Sequence, residues 1–296
     1  MTGVWEINHT SCAAKSGLYP NMTKQTLSLG DLIVNRLGYG AMRVCGPSVW
    51  GPPKDRAHAH KVLRRAYELG ANFFDTADSY GPHVDEELIA EALHPYPKDL
   101  VIATKGGLVR PRASAWDENG RPEHLKQAID GSLKRLRLER IDLYQLHAVD
   151  PKVPLEDSLG PLVDAQRAGK IRHIGVSNFD LAQLERARKV AKIVSVQNEY
   201  NLDNRSSEDV IDRCEKLGIA FLPWYPLGAG AALRSSKIRT LGKKLGATPA
   251  QLAIAWLLAR SPAVLPIPGT SSIAHLEENM KGASLTLSAA DAALLG

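Results

Sequence analysis

Asp75, Lys105 and His147 each close a short apolar run, in NFFD, VIATK and LYQLH, and Tyr80 follows the first of them in FFDTADSYG. Singly, an aspartate can cap a turn, a lysine can sit in solvent and a histidine can rest at a rim. Gathered in one place, the four would do chemistry. A phenol with a reference pKa of about 10 is a weak donor at neutral pH, and a nearby ammonium favours its phenolate and lowers that value. A carboxylate beside the lysine keeps it charged and oriented, while a histidine can orient an oxygen or relay a proton. The set predicts a positioned general acid, Tyr80, aimed at a carbonyl oxygen that becomes an alkoxide. The hydride must come from outside the chain, since no side chain carries one, and this implies a nicotinamide cofactor.

The elements that would bring these residues together follow one repeating grammar. TLSL and LIVNRL, split by Gly30-Asp31, predict a short hairpin. Eight short apolar runs follow: 37–42, 72–77, 100–105, 141–147, 171–178, 193–200, 219–225 and 264–269. Helix-patterned stretches such as HKVLRRAYELG and SSEDVIDRCEKLG separate them, several stopped by a glycine (Gly70, Gly169, Gly218). Strands alternating with helices at this spacing predict parallel βαβ units, and eight such units predict a closed (β/α)8 barrel, with a doubly wound sheet as the competitor. TPAQLAIAWLLARSP (248–262) predicts one further apolar helix, opened by Pro249. The two longest connections, 43–56 and 106–120, each carry a tryptophan and follow strands, so a barrel places both on the face where such folds carry their sites.

Composition narrows the class. Charged residues at 23% and hydrophobic ones at 44% are the balance of a soluble globular chain, and no apolar run approaches the roughly 18 residues of a membrane span. The net charge of +5 suits a small polyanionic ligand, but Lys and Arg are scattered rather than striped, against nucleic acid. Cys12, Cys45 and Cys214 are odd in number and far apart, which predicts free thiols in a reducing cytoplasm. Residues 1–21 lack the pattern of a signal peptide and are expected to form a disordered tail before a single domain over 22–296. Gly38-Tyr39-Gly40 lacks the third glycine of a dinucleotide fingerprint, with Arg43 in its place, and reads as strand and turn. His58 and His60 are two apart and do not share a helix face, and no Cys/His spacing suggests zinc, so no metal is expected.

In order along the chain, FFDTADSYG, VIATKGG, LYQLH, GVSNF, VQNEYN, WYPLGAG and IPGTSSIAHLEEN resemble the motifs of the aldo-keto reductases, from about Thr26 to Asn279. The resemblance implies a (β/α)8 barrel and NADPH-dependent carbonyl reduction, with Tyr80 as acid and Asp75, Lys105 and His147 completing a tetrad. It implies that Ser177, Asn178 and Gln197 hold the carboxamide and that Trp224 stacks on the nicotinamide. Tyr225, Pro226, Leu227 and Gly228 would border the pyrophosphate, and Gly40, Ala41 and Met42 would form the first-strand wall. Gly269, Thr270, Ser271 and His275 would lie at the adenosine phosphate, and Glu278 and Asn279 near adenine. The chemistry of these residues agrees with that map. GTSS before a helix offers backbone N–H groups to an anion, Trp224 offers a flat apolar face, and Gly228 and Gly230 permit close backbone approach.

One departure concerns the cofactor. Some branches of the family carry a Lys and an Arg where this chain has Gly269 and His275, which leaves NADH open beside NADPH; Arg234, Lys237 and Arg239 could compensate. Three segments resemble the pyridoxal reductase branch: NRLGYGAM with GPSVWGPP, SYGPHV, and PIPGTSSIAHLEENM. They imply pyridoxal as substrate, in a pocket formed by Val49, Trp50, His83 and Trp116, left open by a short C-terminal segment. The same barrel serves as a channel β subunit that senses the cofactor, and strand-end lysines form Schiff bases in lyases. The complete tetrad disfavours the first alternative, and the cofactor motifs disfavour the second.

Overall fold

The computed structural model describes residues 25–228 and 232–296; the expected tail over 1–21, Cys12 and Gly230 lie outside the described residues. At the start, β1 (Thr26–Leu29) and β2 (Leu32–Asn35) pair antiparallel around Gly30, whose φ of +64° is the left-handed conformation the turn requires. The hairpin places Leu29, Leu32 and Val34 against Phe73, Val101, Val194 and Ala220, at the starts of four later strands. It therefore plugs the N-terminal end of the barrel and leaves the opposite mouth free.

β3 (Tyr39–Gly40), β4 (Phe73–Asp75) and β5 (Val101–Gly106) come next, then a two-residue ribbon, β6 (Leu108–Val109) with β7 (Asp117–Glu118), inside the second long connection. β8 (Ile141–Leu146), β9 (Ile171–Ser177), β10 (Ile193–Glu199) and β11 (Ala220–Trp224) complete a seven-stranded parallel sheet in the order β11-β10-β9-β8-β5-β4-β3. Between consecutive barrel strands run α1 (Arg56–Glu68), α2 (Val84–Leu93), α3 (Pro122–Leu136), α4 (Leu155–Arg167), α5 (Leu181–Val190) and α6 (Glu208–Leu217). α7 (Ser236–Leu245), α8 (Pro249–Arg260), α9 (Ile273–Lys281) and α10 (Ala289–Leu295) follow. The predicted extra helix is α8, opened by Pro249 and a reciprocal capping box between Thr248 and Gln251.

The eighth predicted strand fills its position without becoming a ladder. Phe221 N donates to Ala263 O and Leu265 N to Phe221 O, both at 2.8 Å, on one side, and Gly38 N donates to Pro266 O at 3.0 Å on the other. Residues 264–269 thus lie between β11 and β3 and close the ring. Pro266 and Pro268 have no N–H to give, so regular pairing cannot propagate along them. Among the described residues, no helix is long and apolar enough to cross a membrane.

Candidate active site

Asp75 ends β4, Lys105 lies near the end of β5 and His147 follows β8 directly; the three strands are neighbours, so their ends meet at one mouth. Tyr80 returns over that mouth through a tight turn in which its N–H donates to Ala77 O at 3.2 Å. Lys105 has no exposed surface. Its Nζ donates to Asp75 Oδ1 at 2.6 Å, to Thr76 O at 2.8 Å and to Tyr80 Oη at 3.3 Å. The His147 ring stands edge-on to the Tyr80 ring, centroids 5.9 Å apart, and Trp116 meets the same ring edge-on at 6.2 Å.

Burial works against the Lys105 charge, but Asp75 and Tyr80 outweigh it and hold the pKa above the ordinary lysine value. The Tyr80 phenol is raised, not lowered as its ammonium neighbour alone predicts. Burial is the largest influence and pushes the phenol up to about 12, with Lys105 only opposing it. The phenol is therefore fully protonated at neutral pH, the form a proton donor needs. Burial, then the Lys105 charge, drive His147 well below its ordinary value, so it is neutral and able to share a hydrogen bond with an oxygen.

The sequence reading missed a second layer. Asp75 Oδ2 accepts from Gln145 Nε2 at 3.2 Å and from Gln197 Nε2 at 2.8 Å. Gln145 is a polar residue inside an apolar strand, two positions before His147 and so on the same face, which was the available signal. Beneath them, Thr76 Oγ1 donates to Asp85 Oδ2 at 2.8 Å, and Thr104 Oγ1 and Arg135 Nε each donate to Glu86 at 2.6 Å. Burial raises the Asp85 carboxyl to about 7 and holds Asp78 well above the usual carboxylate range, with Glu86 adding to both.

A cavity of ≈ 630 Å³ opens above the four residues. Of the predicted residues it is lined by Gly40, Met42, Asp75, Tyr80, Trp116, His147, Ser177, Asn178, Gln197, Trp224, Tyr225, Pro226, Leu227, Gly228 and Gly269, with Arg43, Leu108 and Ile267 in addition. Asn178, with φ +60°, ties the wall together: its Nδ2 donates to His147 O and its Oδ1 accepts from Trp224 Nε1, both at 3.0 Å. Ser177 Oγ donates to Gln197 O at 2.8 Å. Ala41 is buried behind the first-strand wall.

The remaining predicted residues lie elsewhere. Thr270, Ser271, His275, Glu278 and Asn279 cluster around the start and body of α9, where the cap is Ser272, accepting from His275 N. Val49 packs under the Tyr80 loop with Cys45 and Ala77, and Trp50 stands 37% exposed; neither lines the cavity. His83 is the clearest correction to the expected pocket. Its φ of +73° turns it out at the start of α2, where it lines a separate cleft with Glu87, Lys134 and Arg135. Arg234, Lys237 and Arg239 are exposed and also outside the cavity. His58 and His60 take separate partners, Ser271 O and Glu91.

A parallel barrel whose mouth holds a buried Asp-Lys-Tyr chain and a neutral histidine defines a class, and comparison with known proteins gives the same one. The aldo/keto reductase family model matches residues 36–295, and the chain belongs to that family. It is 48% identical over 264 residues to an uncharacterised oxidoreductase of Schizosaccharomyces pombe, covering 89% of this chain and 86% of that one. It is 47% identical over 273 residues to the pyridoxine 4-dehydrogenase of Escherichia coli, covering 90% of this chain and 96% of that protein. A Klebsiella pneumoniae aldo/keto reductase, solved in complex with NADP and acetate, superposes with a TM-score of 0.78 at 26% identity, over 92% of this chain and 94% of that one.

Proposed function

We propose that this chain reduces a flat aldehyde to the alcohol with NADPH, pyridoxal to pyridoxine being the specific case, and that Tyr80 is the proton donor. The observation that carries the reading is the Lys105 ammonium held between Asp75 and Tyr80 at the floor of the cavity. The name of the Escherichia coli relative supports the substrate, and the complex of the Klebsiella relative supports the cofactor.

The residues present suit a nicotinamide dinucleotide. Gln197 commits its Nε2 to Asp75, which leaves its Oε1 to accept from a carboxamide beside Ser177 and Asn178. Trp224 presents an indole fixed by its own N–H. Arg43 lines the cavity beside Gly269, where an added Cβ would lie 3.6 Å from Arg43 Cγ, so this wall offers a cation near the position at which some branches carry a lysine. NADPH bound there supplies the hydride. Tyr80 then gives its proton to the oxygen as negative charge develops on it, and neutral His147 holds that oxygen in line. Lys105 stabilises the phenolate left behind, and Asp75 keeps Lys105 charged and aimed. A cytoplasmic setting suits Cys45 and Cys214, which are free and buried, and the partner is a small carbonyl compound rather than nucleic acid.

The test is NADPH consumption, followed by nicotinamide absorbance, with pyridoxal and a panel of simple aldehydes. Tyr80→Phe should lower kcat by about 10²–10⁴ while leaving NADPH affinity intact. Wild-type turnover in that variant would remove Tyr80 as the acid. Tight NADPH binding without turnover of any aldehyde by the native protein would favour the cofactor-sensing alternative instead.

A further inference from the structure

Arg110 lies just past β6, outside the cavity, and is only 7% exposed. Its guanidinium carbon sits 3.6 Å from the centroid of the Trp116 ring and 5.5 Å from that of Trp50. Nη1 donates to Val49 O at 3.1 Å, and Nη2 donates to Ser48 O at 3.2 Å and to Ala113 O at 2.5 Å. One side chain therefore binds both long connections, the one after β3 and the one after β5.

The backbone it grips is strained. Ser48 and Val49 have φ of +58° and +56°, a region disfavoured for any residue with a Cβ and most of all for a β-branched one. Such geometry persists where its surroundings over-determine it, and it clusters at functional sites. Here both strained carbonyls end on Arg110. Val49 O also accepts from Gly81 N at 3.2 Å, and Gly51 N donates to Gly81 O at 2.9 Å, so the gripped loop is tied to the residue after Tyr80. On the other side Trp116, held face-on by the guanidinium, meets the Tyr80 ring edge-on. A planar fork that stacks and donates at once is a property of arginine that lysine lacks.

We infer that Arg110 is a positioning residue for substrate selectivity: it clasps the two loops, fixes Trp116 as a rigid flat wall beside Tyr80, and so favours planar aromatic aldehydes over small aliphatic ones. The inference rests on the cavity being a carbonyl-reducing site. A clasp that merely stabilised the loops would affect all substrates alike; a clasp that sets the wall changes discrimination between them.

The experiment compares Arg110→Lys and Arg110→Met with the native enzyme on pyridoxal, benzaldehyde and propanal, with NADPH affinity and melting temperature measured beside them. Both variants should raise KM for the two aromatic aldehydes by about tenfold with kcat within about threefold, and move kcat/KM for propanal by less than about threefold. NADPH affinity should hold. Trp116→Leu, which keeps the Arg110 hydrogen bonds to both loops, should lose the same preference and guards against an Arg110→Met protein that does not fold. Equal losses on aromatic and aliphatic aldehydes, or an unchanged preference in the Lys and Leu variants, would overturn the inference. A native enzyme that reduces no aldehyde sinks the proposed function itself, and the inference with it.

Discussion

Both oxygens of Asp75 are committed, one to Lys105 and the other to the amides of Gln145 and Gln197. Gln145 has its own support: Ser195 Oγ donates to its Oε1 at 3.4 Å. Gly175 makes room for both, since a Cβ there would come within 2.1 Å of Ser195 Oγ and 3.0 Å of Gln145 Cγ. A hydrogen bond to a charged group contributes about 1.5–3 kcal/mol. Gln145→Met, which keeps the volume and removes the donors, should therefore lower kcat by roughly 10- to 100-fold, with NADPH affinity little changed. Steady-state rates and a cofactor titration check this, and native kcat in the variant would mean that Lys105 and Gln197 hold Asp75 unaided. The catalytic candidates were legible as a set: each of Asp75, Lys105 and His147 has an ordinary reason to close an apolar run, but three such ends with Tyr80 just past the first converge on one barrel mouth. Gln145 was not, because a neutral amide within a strand looks like a break in the pattern until its neighbour across the sheet is known.

At the level of elements, α2 carries the acidic first turn that a helix N-terminus favours, Asp85, Glu86 and Glu87. Pattern alone makes that a solvated turn, yet Asp85 and Glu86 have no exposed surface. The start of α2 folds in under β4 and β5, toward Thr76 and Thr104. Asp85 faces Glu86 on its own helix, Asp75 and Lys105 at the strand ends, and Cys45 and Tyr39 from the first-strand side. Burial raises its carboxyl from 3.8 to about 7. The folded state then holds a proton that the unfolded state releases as pH rises from about 4 to 7, so this group's contribution to stability falls across that window. Asp85→Asn removes the titration. Its melting temperature should gain on the native protein by several degrees between about pH 5 and pH 8, and a gap that stays constant with pH would place the carboxyl outside that window. The sequence was more reliable about where elements stop: Gly70, Gly169 and Gly218 follow α1, α4 and α6 with φ of +95°, +77° and +65°. It was less reliable where a segment's partners decide its form, as in 264–269, where apolar composition promised a strand and two prolines denied it the ladder.

Closure is a property of the whole molecule, and eight apolar runs could be counted without any of them showing that the ring is shut. The eighth segment, short of donors, is secured at its N-terminal end by Arg36, which is 8% exposed. Its Nη2 donates to Leu258 O at 2.9 Å, to Ser261 O at 2.7 Å and to Val264 O at 3.3 Å, and its backbone N–H donates to Gln25 O at 3.1 Å. The cation also lies at the C-terminal end of α8, where a helix favours positive charge. Arg36→Met would take this donor from Leu258 O and Val264 O, leaving Ser261 O only the Val264 N–H, and should cost about 2–4 kcal/mol, read as a lower urea midpoint at an unchanged slope. The mouth that holds Asp75, Tyr80, Lys105 and His147 is at the other end of the barrel, so kcat below the melting range should stay within about twofold. Ile267 and Gly269 of the same segment line the cavity, however. A parallel fall in kcat would therefore show that the first-strand wall of the site depends on the same clamp that closes the ring, whereas an unchanged midpoint would show that packing of Leu265 and Ile267 in the barrel interior closes it without Arg36.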